Sequence, residues 1–348
     1  MKPHFELYKL LRHSLCQLLR RSYKGQTKKM SDDKVLGMVL KFAGEQHWST
    51  LDTFIHLDEF YWLSHGRHVL FPEMAETWQN LLDARYDPGQ TEHLQLPLAS
   101  FIVAMPPGFL LPSGVPMPPL LVTCIEDRNE FEDNLSRFAG ACGLANYPQI
   151  DSSRDKRVIS ICYVDPTDQK IGKLSLNGKE HQFIRARASL PQRLLPDILQ
   201  SESAQEFKDR MPQMDGINYL IPLDPHDLEI QFHAFKLVAG MMVCHSVQET
   251  PFLSDGLPTQ QRKAPMSGFN THTNYLFHTF GPGHPSVEEV GSDVCTHARR
   301  WHFRNLRAPI YYRGKHENQQ PGSRWIFVRD ALVKGQGHTA SKQSSRHI

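Results

Sequence analysis

The stretch from Phe232 to Val243 is the longest apolar run in the chain, and His233, Lys236 and Gly240 interrupt it. A membrane-crossing helix needs about 20 predominantly apolar residues. This run therefore predicts a core helix, from Asp227 to Ser246, around which a folded domain must be built. At 348 residues the chain can bury one large core or two modest ones. An apolar fraction of 40% with 22% charged residues belongs to a globular protein and not to a disordered one. The N-terminus has basic residues and leucines but no apolar segment leading to a small-residue cleavage site, so neither a secretory leader nor a membrane partner is expected. Cysteines 16, 124, 142, 162, 244 and 295 are scattered without a CxxC pair. That pattern predicts reduced, buried thiols in a cytoplasmic protein.

The remaining elements follow from periodicity. Residues 4 to 22 place Tyr8, Leu11, Leu15, Leu18 and Leu19 on one face and predict an amphipathic helix with a basic flank. Ser31 reads as the cap of a second helix running to about Glu45. Pro72 reads as the start of a third, with Trp78, Leu81 and Leu82 as its apolar face. Short apolar or alternating runs at 98–104, 120–125, 157–164 and 181–187 predict strands. Asn177-Gly178 predicts a hairpin between 171–176 and 181–187. Helices are expected again at 191–211 and from Asp227, where His226-Asp227 reads as a helix start and not as a metal-binding dyad. No repeat of 20 to 50 residues occurs.

Residues 247 to 287 are rich in Gly and Pro and predict an exposed arm. The fold class is α+β: a helical N-terminal part, a central sheet of short strands with packing helices, and a small basic β-rich C-terminal appendage. The expected division is 1–30 for the basic N-terminal helix and linker, 31–246 for the body, 247–294 for the arm and 295–348 for the basic segment.

Charge sets the last segment apart. Residues 295–348 hold eleven Lys and Arg against Glu317 and Asp330, a net of +9 in a chain whose formal net is +2, so the preceding residues carry −7. Short strands are expected at 301–304, 309–312 and 324–328. With alternation, His297, Arg299, Trp301 and Phe303 share one face, and Arg300, His302 and Arg304 share the other as a cationic stripe. Arginine forks there suit phosphate or carboxylate. Tyr311, Arg313, Arg324 and Trp325 extend this candidate binding set. The alternative is a basic hairpin that docks on the acidic body. Cys295, His297, His302 and His316 match no common zinc spacing, so no metal or other cofactor is expected. The chain has no GxSxG, Walker A, GxGxxG or HExxH motif and therefore no catalytic residues to assign.

Several of these pieces, taken in order, resemble a known family. They are Lys236 to Ser246, Glu249-Thr250-Pro251, Gly256-Leu257-Pro258, Arg262-Lys263, His297-x-Arg299-Arg300-x-His302-Phe303, and Trp325-Ile326-Phe327-Val328. They resemble the type V anti-CRISPR proteins of phages and mobile elements, which block biogenesis of the CRISPR effector nuclease. The likeness covers the C-terminal third, and Trp301 stands where the family has a small residue. It implies a non-catalytic, cytoplasmic interaction protein that binds the N-terminal part of an effector polypeptide, or of another host protein, at the ribosome and lowers its expression. Two alternatives stand beside it. One is an RNA- or DNA-binding protein that uses the basic segment. The other is a metal-independent ribonuclease that uses the tail histidines.

Overall fold

A computed structural model describes residues 5–32, 34, 35, 37, 38, 50–89, 93–125, 157–164, 173–176, 179–182, 186–210, 225–247, 251–258, 274–282 and 301–328. The chain is α+β, built on a mixed seven-stranded sheet. The strands are β1 (His68–Pro72), β2 (Arg85–Tyr86), β3 (Ser100–Val103), β4 (Leu120–Ile125), β5 (Val158–Tyr163), β6 (Lys173–Leu176) and β7 (Lys179–Gln182). They continue as β8 (Ala186–Pro191), β9 (Leu253–Asp255), β10 (Leu276–Phe280), β11 (His302–Leu306) and β12 (Arg324–Val328). The large sheet runs β8-β5-β4-β3-β1-β10-β9. β3, β4, β5 and β8 pair antiparallel, whereas β1 lies parallel to both β3 and β10.

Side-chain alternation gives this sheet two buried faces. Val69, Phe71, Ile102, Leu121 and Cys162 point to one side, where α1 (Leu11–Ser22) and the helix Thr50–Ser64 cover them. Leu70, Phe101, Val103, Val122, Ile161 and Tyr163 point to the other. There the 22-residue helix Pro225–Ser246 crosses, flanked by Thr77–Leu82, Leu195–Gln200 and Ala204–Arg210. These helices, with the short Lys24–Thr27, are numbered α1 (Leu11–Ser22), α2 (Lys24–Thr27), α3 (Thr50–Ser64), α4 (Thr77–Leu82), α5 (Leu195–Gln200), α6 (Ala204–Arg210) and α7 (Pro225–Ser246). α7 is buried from Leu228 to Cys244 except at Glu229 and Lys236, as its apolar sequence requires. Its first-turn Asp227 is buried and accepts a hydrogen bond from the Tyr163 hydroxyl (2.9 Å). No helix among the described residues is long and apolar enough to cross a membrane.

Strands 120–125 and 324–328 have the bounds that their sequence predicts; β6 and β7 form a hairpin where one is expected, but its second arm is Lys179–Gln182 and not 181–187, since residue 186 already opens β8 of the large sheet. Ser31 Oγ accepts from the Lys34 amide (3.4 Å) as a cap should. Cys16, Cys124, Cys162 and Cys244 are buried and carry no disulfide.

Other expectations are corrected. The first helix starts at Leu11 and not at residue 4, because Glu6 exchanges two backbone hydrogen bonds with Met105 (2.9 and 3.0 Å). Pro72 ends β1, and the following helix begins at Thr77. Residues 186–191 are strand, so the helical stretch starts only after Pro191. The Gly/Pro-rich arm contributes β9 and β10, and β10 is an inner strand held on both sides. Residues 309–311 form a 3-10 turn, not a strand; Pro309 has no N–H for a ladder and its fixed φ suits the first position of a helical turn. Helix α3 and strand β1 have no counterpart in the sequence reading. The buried Asp58 and Glu59 of α3 interrupt the apolar stripe that announces a helix.

Candidate binding site

The basic C-terminal segment does not stand apart from the body. β11 pairs antiparallel with β12 and parallel with β2, giving a second sheet in the order β12-β11-β2. Its inner face is aromatic. Trp301, Phe303 and Trp325 are buried in the same core as α7, and the Phe252 ring lies 6.1 Å from Trp301, 6.0 Å from Phe303 and 5.1 Å from Phe327. These rings are therefore core residues and offer no stacking surface. That part of the expected binding set is corrected, because strand alternation sends them inward while the charges go out. The docked-hairpin alternative describes this segment better, with rings rather than arginines making the contact.

The outer face carries the polar set. Register places Arg85, His302 and Val328 in one row, Arg304 beside Ile326 in the next, and Leu306 beside Arg324 in the third. His302 Nε2 lies 2.9 Å from Asp87 Oδ1, a carboxylate partner 215 residues away that no local pattern announces. Arg304, Tyr311 and Arg313 are exposed. Arg324 is half-buried and its Nη1 donates to the Tyr311 carbonyl (2.8 Å). His297, Arg299 and Arg300 lie outside the described residues, as does Cys295 of the imagined zinc set. Among the described residues no group of three or more His, Cys, Asp or Glu side chains is arranged to hold a metal ion.

Along the β2 edge of this sheet runs a cleft of ≈ 940 Å³. The α4–β2 turn supplies Asp83, β2 supplies Arg85, the α5–α6 connection supplies Glu202, α7 supplies His233 and Lys236, and β11 supplies His302. His233 Nδ1 sits 2.9 Å from the Glu229 carbonyl oxygen, so it donates there and leaves Nε2 as the acceptor. Burial holds the His233 imidazole below its ordinary pKa, with Lys236 acting in the same direction against Glu229 and Asp83. Neutral at pH 7, His233 can accept or donate but adds no charge. Lys236 Nζ lies 3.5 Å from the Ser201 carbonyl and 5.6 Å from the centre of the Phe232 ring. The lining thus combines two carboxylates, two cations and two imidazoles. Of these six, sequence reasoning singled out only His302 as a site residue. A lysine inside an otherwise apolar helix was the one signal for the others.

A second polar group lies on the large sheet. His68 Nδ1 is 2.8 Å from His278 Nε2, and His278 Nδ1 is 3.1 Å from Asp255 Oδ1. No family model, curated protein or solved structure matches the chain.

Proposed function

We propose that this chain is a non-catalytic binding protein that takes a segment of polypeptide into the cleft between the three-stranded sheet and α7. The observation that carries this reading is the mixed-sign lining, in which Asp83 and Glu202 share a cleft of ≈ 940 Å³ with Arg85 and Lys236. A polypeptide presents backbone donors and acceptors together with charges of both signs, and such a lining satisfies both. A polyanion would be repelled by the two carboxylates, and an apolar ligand would strip water from the charged groups without offering them a partner. The resemblance to the type V anti-CRISPR proteins makes a CRISPR effector polypeptide the first partner to test and a host protein of another kind the second. In this reading, binding lowers the partner's expression.

Co-expression with type V effectors, reading both message and protein level, tests this. The wild-type chain should lower both, and Asp83→Lys with Glu202→Lys should restore them. These two side chains are exposed, so the variant should keep its stability to within about 0.5 kcal/mol. An unchanged effector level would exclude that partner. Capture of a partner equally by wild type and variant would move the polypeptide site away from the cleft.

A further inference from the structure

We propose that the outer face of the three-stranded sheet, with the loop joining β11 to β12, binds a single-stranded nucleic acid through its phosphates and one stacked base. This goes beyond the polypeptide reading, because it uses side chains outside the acidic part of the cleft. Between residues 301 and 328 stand Arg304, Arg307, Arg313, Lys315 and Arg324 with Glu317 as the lone acid. By contrast, Arg187 meets Asp58 and Arg20 meets Asp32, both at 2.7 Å. Arg304, Arg307, Arg313 and Lys315 are exposed, and none makes an ion pair among the described residues. An uncompensated cluster of this kind raises the local concentration of a polyanion.

The loop is held in shape before any partner arrives. The buried Tyr312 hydroxyl donates to the Leu306 carbonyl (2.6 Å) and accepts from the amides of Gly322 (2.8 Å) and Arg324 (3.1 Å). One side chain thereby ties both ends of the loop together. Gly314 and Gly322 take the positive φ values, +61° and +93°, that its turns require. On this frame Ile310 and Tyr311 are presented at 61% and 39% exposure, and the Arg324 fork fixes the Tyr311 carbonyl. A preorganised exposed ring among arginines loses little entropy on binding.

Register also spaces the charges. Arg85 on β2, Arg304 on β11 and Arg324 on β12 occupy successive rows, so they form a diagonal across the sheet. Diagonal neighbours on adjacent strands stand about 7–8 Å apart. One nucleotide of an extended strand spans a comparable step. An acidic peptide would satisfy the cations equally, but it has no use for the flat ring of Tyr311. A duplex keeps its bases stacked and out of that ring's reach. The chemistry shared by RNA and DNA, phosphate and unstacked base, is what this surface recognises.

The experiment uses the full chain and labelled oligouridylate and oligothymidylate of about twenty nucleotides, titrated across salt concentration. Wild-type affinity should fall steeply with salt. In Arg307→Ala/Arg313→Ala/Lys315→Ala the slope of log K against log salt should flatten by about 0.7 for each contact removed. Tyr311→Ala should weaken binding by about tenfold at constant salt. Binding of either oligonucleotide supports the proposal. Photocrosslinking of thiouridine- or thiothymidine-labelled oligonucleotide to wild type should mark Tyr311, which keeps the test decisive even where a variant misfolds. No binding at low salt would overturn the proposal. So would displacement by polyglutamate of equal length together with full affinity in Tyr311→Ala; that pair of results would assign the surface to an acidic protein. Asp83→Lys/Glu202→Lys should leave oligonucleotide binding intact or tighten it, so failure of the polypeptide reading and failure of this one remain distinguishable.

Discussion

The Tyr86 ring lies flat on the Phe303 ring, 5.2 Å between centroids and 8° between planes, and its hydroxyl donates to the Leu81 carbonyl (2.9 Å). This stack joins the N-terminal half of the chain to its basic C-terminal segment and sets the inner wall of the small sheet. It also explains the glycine inside the buried helix. A Cβ on Gly240 would overlap the Tyr86 hydroxyl oxygen. Helix propensity alone favours alanine there by about 1 kcal/mol. Gly240→Ala should instead destabilise the protein by about 1–3 kcal/mol, because the phenol must leave its place. Urea unfolding gives the sign directly, and a stabilised variant would show that Tyr86 is not held where the structure places it.

Trp301, Phe303 and Trp325 belong to the core that contains α7. The C-terminal segment is therefore expected to be inseparable from the body. Trp325→Ala should cost about 3–5 kcal/mol, and a chain ending at residue 294 should lose cooperative thermal unfolding. A truncated chain that melted with the full-length midpoint would contradict this packing.

Asp58 and Arg187 form an ion pair between α3 and β8, at 2.7 Å with side-chain exposures of 2% and 13%. The same carboxylate accepts from Ser160 (3.1 Å) and Cys162 (3.3 Å). Burial, and next the Asp58 charge, push the Cys162 thiol well above its ordinary pKa, so it remains a donor. Asp58→Ala takes the carboxylate away from a buried guanidinium and should cost about 3–5 kcal/mol. The double variant Asp58→Leu/Arg187→Met should lose less than Asp58→Ala alone. Guanidinium denaturation of the single and double variants measures the difference, and additive losses would refute the pairing.

His68 and His278 share one hydrogen bond on the parallel strands β1 and β10, so one ring must accept what the other donates. Burial, and then the neighbouring His278, lower the His68 pKa from its ordinary 6.5, while Asp255 acts the other way. With the folded value below the unfolded one, the unfolded chain binds the proton more readily. This contribution to stability is present above pH 6.5 and declines as pH falls below it. His68→Gln should flatten the stability profile below pH 6.5. A profile unchanged by the substitution would remove His68 as its source.

Much of the secondary structure was legible in the residues. Leu120–Ile125 is a short apolar run bounded by prolines and acids, Arg324–Val328 alternates rings with outward groups, and the apolar run around Phe232 to Val243 allows only a buried helix. The separation of Trp301 and Phe303 from His302 and Arg304 onto opposite faces was equally a matter of period. Helix α3 was not legible, because Asp58 and Glu59 look like surface charge until Arg187, Ser160, Tyr8 and the amides of Leu11 and Arg12 are brought to them.

The sequence by itself therefore determined the α+β class, the core helix, the faces of individual strands and the concentration of positive charge near the C-terminus. These depend on side-chain period and composition, which act over a few residues. Only the tertiary structure decided that the aromatic rings of the basic segment are core, that β10 returns to pair with β1, and that Asp87 faces His302. It also assembled the cleft from Asp83, Glu202, His233 and His302. Those relationships join positions tens to hundreds of residues apart, and the packing that selects them follows from how whole faces fit together, which no local pattern encodes.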